Sequence, residues 1–232
     1  MDTITIQYCF TASECTEYFI LQLDAETLEL QLTDDESQFL PTWARLDVHQ
    51  CPNCPLTVKT HPYCPLTVNI ANIVKRFDHM ASYDEIHLKV TTKERVISQD
   101  TTLQRGIGSL IGLVIPTCGC PHTAFLRPMA RFHLPLATEE ETIYRTTSMY
   151  LLAQYFKIKD GNEADFDLKN LVIAYQNIHI VNAAITKRLQ SSNKTDSTIN
   201  GVILLDLFAK ALPFVIEDSL EEIRYLFEPY FK

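Results

Sequence analysis

Five of the seven cysteines fall in three short proline-flanked clusters: Cys51-Pro-Asn-Cys54, Cys64-Pro-Leu66 and Cys118-Gly-Cys120-Pro-His122. The first two form a near-repeat, in which Cys54-Pro-Leu-Thr-Val is followed ten residues on by Cys64-Pro-Leu-Thr-Val. A CxxC pair presents two sulfurs from one tight turn, and cysteines further along the chain complete a tetrahedral cage. Proline after cysteine holds its own φ and removes a backbone donor, which stiffens the turn that aims the sulfur. The chemistry this spacing favours is thiolate ligation of Zn2+ by Cys51, Cys54, Cys64 and Cys120, with Cys118, His122 and His61 as reserve ligands. A CxC step such as Cys118-Gly-Cys120 rarely gives both sulfurs to one zinc without strain, so one of that pair is expected to be spare.

Two other chemistries compete at the same residues. An iron–sulfur cluster also takes four thiolates, often followed by proline, although these spacings do not match the compact ferredoxin run. A single reactive thiolate is the third reading. Cys64 and Cys120 each precede a proline suited to a first helical turn, and a helix N-terminus lowers a thiol pKa. No base and orienting group accompany them in a recognisable constellation.

Downstream, Arg127, Arg131 and His133 lie within seven residues, a spacing able to clamp an anion. The competing expectation is that they pair with Glu139, Glu140 and Glu141, which open the next helix. His49, His79, His87 and His179 show no ligand spacing. Cys9 and Cys15 read as packing residues, and Trp43 as packing for the sheet beside the cysteine loop.

The elements that must position these groups change character midway. Thr3–Phe10 and Glu17–Leu23 read as strands, and so do Leu28–Leu32 and Ala44–His49, with an acidic loop over Thr33–Ser37. Pro65 opens a helix over 65–79. Glu85–Thr91 and Glu94–Ser98 form a hairpin, and Thr101 with Gln104 caps a helix ending at Pro116. Gly108 and Gly112 share one face of that helix and would admit a close neighbour. The later half is helical: from the capping box Thr138/Glu141 to Lys157, then Phe166–Leu189. After a polar linker, Ser191–Asp196, come Ile199–Leu212 and Ile216–Phe227, broken at Pro213. The expected class is α+β. A Cys-rich region with an antiparallel sheet and two helices occupies 1–136, and a helical region packs against it over 137–232, as a second domain or one continuous with the first.

Composition restricts the function classes. The chain has 232 residues, 46% hydrophobic and 21% charged, with a net charge of −9. That balance suits a globular protein with a real core and disfavours general binding to nucleic acid or anionic membranes. The opening residues lack a signal-peptide pattern, and the longest uninterrupted apolar runs, Ser109–Ile115 and Val202–Leu205, are too short to span a bilayer. The expected location is the cytosol, where thiols stay reduced and clustered cysteines serve as ligands or reactive groups.

Between Trp43 and Phe156 the chain resembles an uncharacterised bacterial domain family of unknown function. The motifs that carry the resemblance are His49-Gln-Cys-Pro-Asn-Cys-Pro-Leu56, Gly119-Cys-Pro-His122, the segment Phe125–Pro135 and Met149-Tyr-Leu-Leu-Ala-Gln-Tyr-Phe156. The resemblance implies where the site lies and brings no activity, substrate or cofactor. The expected function is a cytosolic metal-binding interaction or regulatory module with a protein partner. The alternative is an iron–sulfur or reactive-cysteine redox protein or enzyme, with an anionic substrate near Arg127, Arg131 and His133.

Overall fold

Ile6, Tyr8 and Phe10 alternate with more exposed residues along strand β1 (Thr3–Thr11), the pattern of a sheet with one buried face. Phe19, Leu21 and Leu23 repeat it on β2 (Thr16–Asp24), and Ile86, Leu88 and Val90 on β3 (Glu85–Thr91). β4 (Val96–Thr102) completes an antiparallel sheet of order β2-β1-β3-β4. The computed structural model describes residues 2–13, 15–31, 40–192 and 196–232, except the side chains of Val215, Glu217 and Ser219.

The sheet is no simple meander. β1 pairs with β2 through a local hairpin (Ile6 opposite Leu21), but on its other side it takes β3, with Tyr8 opposite Val90. Two of the expected strands are absent. The Leu28–Leu32 run contributes one isolated bridge, Leu30 to Leu23, within its described part. The Ala44–His49 run instead leaves a short 3-10 turn, Thr42–Ala44, and makes one bridge, Arg45 to Tyr63. The backbone groups of Ala44, Arg45 and Leu46 are used by other partners, described below. The acidic loop over Thr33–Ser37 and the middle of the Ser191–Asp196 linker lie outside the described residues.

Helix α1 (Pro65–Arg76) carries proline at its first turn and buries Leu66, Ile70, Ile73 and Val74. Helix α2 (Leu103–Thr117) is buried along nearly its whole length. Its N-cap is Thr102, with no side-chain cap bond, in place of the expected Thr101 capping box. A short α3 (Arg127–Arg131) leads to α4 (Glu139–Lys159), where the capping box forms as expected. Glu141 N donates to Thr138 Oγ1 (3.2 Å), and Thr138 N donates to Glu141 Oε2 (2.7 Å). Helix α5 (Lys169–Ser191) and helix α6 (Asp196–Glu222) follow, and a 3-10 segment, Arg224–Tyr230, ends the described fold.

α6 runs continuously through Pro213, so the two helices expected on either side of that proline are one. Within it, Asp196–Phe214 is long and apolar enough by length and composition to cross a membrane, with mean hydropathy 1.3 and 33% of the window buried. Counting only uninterrupted apolar runs missed this, because Asp206 and Lys210 interrupt a stretch whose average stays apolar.

α2 is the central layer, with the sheet on one side and α6 on the other. The main core joins sheet residues to α1 and α2 and continues into Val181, Ala184, Ile185 and Leu189 of α5 and Val202 of α6. A second cluster, around Ile143, Leu171, Tyr175, Ile178 and Leu212, holds α4, α5 and α6 together. The crossing of α2 and α6 occurs at glycines. A Cβ on Gly201 would stand 3.2 Å from Gly108 N and 3.0 Å from Ile107 Cγ2, so the backbones touch where side chains are missing. Gly108 therefore does receive the close neighbour expected on its face, and that neighbour is α6.

Candidate functional site

The cysteine loop is held from three sides. Leu46 N donates to Pro62 O (3.0 Å) and Cys64 N to Ala44 O (2.9 Å), closing the segment that contains the CxxC turn. The buried Thr67 hydroxyl shares its proton between Ala44 O (3.0 Å) and Cys64 O (2.9 Å), tying the start of α1 to the same strand of chain. Cys54 N donates to Cys51 O (3.0 Å), which makes the CxxC a closed turn. That turn is docked on two distant elements: His122 Nε2 donates to Asn53 O (2.7 Å), and Asn53 Nδ2 donates to Asn177 Oδ1 on α5 (2.8 Å).

Gly119 has φ +84, a left-handed conformation glycine adopts without steric cost. It separates two different cysteine environments. Cys118 is buried, and its S–H donates to Ile115 O (3.1 Å) at the end of α2. Cys120, past the glycine reversal, is half-buried.

Cys51, Cys54, Cys64 and Cys120 share one neighbourhood. Burial pushes the Cys51 thiol up to about 12, and the nearby Cys64, Cys54 and Cys120 push it further in that direction, while Arg188 opposes them. Burial also raises Cys120, and Cys64 and Cys54 add to the effect. Three segments well separated in sequence thus bring these four thiols into one electrostatic neighbourhood, and Cys118 feels Cys120 and Cys64 as well. They do not make a closed cage: among the described residues no group of three or more His, Cys, Asp or Glu side chains stands in an arrangement able to hold a metal ion. Convergence and closure are different geometric conditions, and only the first is met. The donor set itself, four sulfurs with Cys51 and Cys64 buried and Cys54 and Cys120 half-open, is of the kind a structural zinc takes.

The reserve ligands sit elsewhere. His122 spends Nε2 on Asn53 O, and His61 is exposed, with Nδ1 3.0 Å from Thr60 Oγ1. Trp43 is buried as expected, and its carbonyl is used in the loop's anchoring.

Arg127, Arg131 and His133 do not meet at a common point. Arg127 Nη2 pairs with Glu29 Oε1 (2.7 Å) in place of Glu139–Glu141. The Arg131 guanidinium lies 5.3 Å from the centre of the Phe132 ring. His133 turns inward, its Nε2 hydrogen-bonded to the Tyr8 hydroxyl, and burial drives its pKa down to about 3. Of the three acidic residues in the first turn, Glu141 closes the capping box.

The residue the sequence reading missed is Arg188. It is fully buried on α5 and donates from Nη1 to Trp43 O (3.3 Å) and Arg45 O (2.5 Å), and from Nη2 to Leu46 O (3.0 Å). These are the carbonyls left over where a strand was expected. An arginine inside a helical apolar stripe gives no local sign that it will meet backbone more than 140 residues away.

A family model described as a domain of unknown function, DUF6901, matches residues 4–228. The chain belongs to that family. The match takes in sheet, cysteine loop and helical layer together. No curated protein and no solved structure matches the chain.

Proposed function

We propose that this DUF6901 member is a cytosolic, zinc-stabilised interaction or regulatory module, with Cys51, Cys54, Cys64 and Cys120 as the ligands. The observation that carries the reading is the convergence of these four thiols from three separated segments. A bound Zn2+ would neutralise thiolates that otherwise repel one another and would staple the CxxC turn to the starts of α1 and of the 120–123 turn. Around it, His122 and Arg188 hold the turn and its flank through backbone carbonyls, and Asn177 holds the turn through the Asn53 side chain.

A protein partner is part of the proposal. The second half of α4 exposes Leu152 (55%), Tyr155, Phe156 and Ile158, more apolar surface than a helix facing only water normally presents. Nucleic acid is disfavoured by the net charge of −9.

Elemental analysis of the purified full chain tests the metal reading. The expected result is about one zinc per chain, lost in the Cys54→Ala and Cys120→Ser variants and kept in Cys118→Ser. Absence of stoichiometric metal after expression in zinc-supplied medium overturns it. A brown, iron-containing protein from anaerobic purification puts the iron–sulfur reading in its place.

A further inference from the structure

The open face of the sheet, opposite the one that packs on α2, carries a separate grouping of reactive side chains. Along β3, Ile86, Leu88 and Val90 are buried while Glu85, His87 and Lys89 point the other way, as the two-residue period of a strand requires. The antiparallel register sets His87 opposite Asp100 of β4, and Lys89 opposite Ser98. Four polar side chains thus stand as two adjacent cross-strand pairs on one exposed face.

Within that array the His87 imidazole is held at both nitrogens. Nδ1 lies 2.6 Å from Asp100 Oδ1, and Nε2 lies 2.7 Å from Ser98 Oγ. An ionised carboxylate can only accept, so Nδ1 carries the proton that it shares with Asp100. In the neutral ring Nε2 is then the acceptor, and the Ser98 hydroxyl donates to it. Carboxylate, imidazole and hydroxyl stand in the order and at the spacing that activate a serine oxygen: the ring takes the hydroxyl proton, and the carboxylate fixes the tautomer. As plain cross-links between strands, these bonds would only steady the hairpin. The two roles differ in how Ser98 meets an electrophile.

We propose that Ser98 is an acyl-acceptor site for small activated esters and thioesters, with His87 as its general base and Asp100 as the positioning residue. Ser98 Oγ forms a bond to the acyl carbon as its proton passes to His87 Nε2. The bond from that carbon to the leaving phenolate or thiolate breaks, and His87 returns the proton to the leaving group. Water, activated by the same imidazole, then hydrolyses the acyl-serine, so the cycle needs no oxidant or reductant. Lys89, directly across from Ser98, supplies a positive charge on a flexible stem for the carbonyl oxygen that becomes negative. The grouping is open to solvent: the His87 side chain is 50% exposed and that of Asp100 90%. Such a site selects its donors by reactivity and not by shape. This inference does not rest on the metal site.

The probe is 4-nitrophenyl acetate, added to the full chain at mildly alkaline pH. Nitrophenolate release and peptide mass mapping after acid quench follow the reaction. The exposed Ser148 on α4 is the internal control. The expected result is acetyl on Ser98, formed about a hundredfold faster than on Ser148 and slowed by about the same factor in His87→Gln. Asp100→Asn should slow it as well and remove the ring-nitrogen NMR signature of an Nδ1-protonated His87. Asp100→Glu should restore part of both. The substituted side chains are exposed, so these variants stay folded. Equal acetylation of Ser98 and Ser148 overturns the proposal, as does a Ser98 rate unchanged in His87→Gln. Acetyl on Lys89, or on Cys9 opposite it on β1, in place of Ser98 would assign the nucleophile elsewhere and overturn it too.

Discussion

Arg188 of α5 donates from Nη2 to the carbonyl of Leu46, 142 residues earlier in the chain, across 3.0 Å in the buried core. With its two bonds to Trp43 O and Arg45 O, it replaces the sheet pairing that this segment would otherwise need. The cysteine loop is thereby hung from the helical layer, and the shape of the candidate site depends on a residue with no ligating chemistry of its own.

Arg188→Met should cost roughly 3–5 kcal/mol, because three carbonyls lose their donor while buried. Arg188→Lys keeps the charge without the planar fork and should recover only part of that loss. Chemical denaturation of both variants measures it. A midpoint for Arg188→Met equal to that of the natural chain would show that the anchoring contributes nothing.

Metal removal should destabilise the chain if the four thiols ligate zinc, since such a cage exists only in the folded state. Thermal unfolding with a strong chelator is expected to show a lower midpoint, and Cys54→Ala a loss on the order of several kcal/mol that chelator does not deepen. Equal midpoints before and after confirmed zinc removal would exclude a stapling role.

Gly201→Ala reverses the usual sign for a helix interior. Alanine is ordinarily better than glycine there by about 1 kcal/mol. Here the new methyl would approach Gly108 N to 3.2 Å and Ile107 Cγ2 to 3.0 Å, and the α2 backbone gives way less readily than a flexible side chain would. The melting temperature should fall, and further for Gly201→Leu; a rise for Gly201→Ala contradicts the backbone contact.

The Tyr8–His133 bond predicts acid sensitivity. Burial holds His133 neutral in the folded protein, with a pKa of about 3 against 6.5 when free. The unfolded chain therefore binds the extra proton first as pH falls. The contribution is whole above about pH 6.5 and is lost between there and about pH 3, by at most roughly 1.4 kcal/mol per pH unit. Comparing the pH dependence of stability for the natural chain and for His133→Gln isolates this slope from that of the carboxylates. Parallel curves would mean that the imidazole is protonated in the fold.

Local chemistry was readable without the fold. The alternation of Ile6, Tyr8 and Phe10, Pro65 at the start of α1 and the Thr138/Glu141 capping box each act within a few residues of chain. The α+β class follows from such signals. The closed CxxC turn was also legible, because its spacing and the flanking prolines constrain the local backbone.

What the tertiary structure alone decided was where long-range partners lie. Ala44–His49 has strand-like composition, but Arg188 and the 62–64 segment take its backbone groups, so hydrogen-bond supply from elsewhere overrode local preference. Pro213 reads as a break, yet α6 continues through it, because packing on α2 and α5 offsets one lost helical bond. His133 and Arg127 look like one basic group in sequence, but one turns into the core toward Tyr8 and the other outward to Glu29.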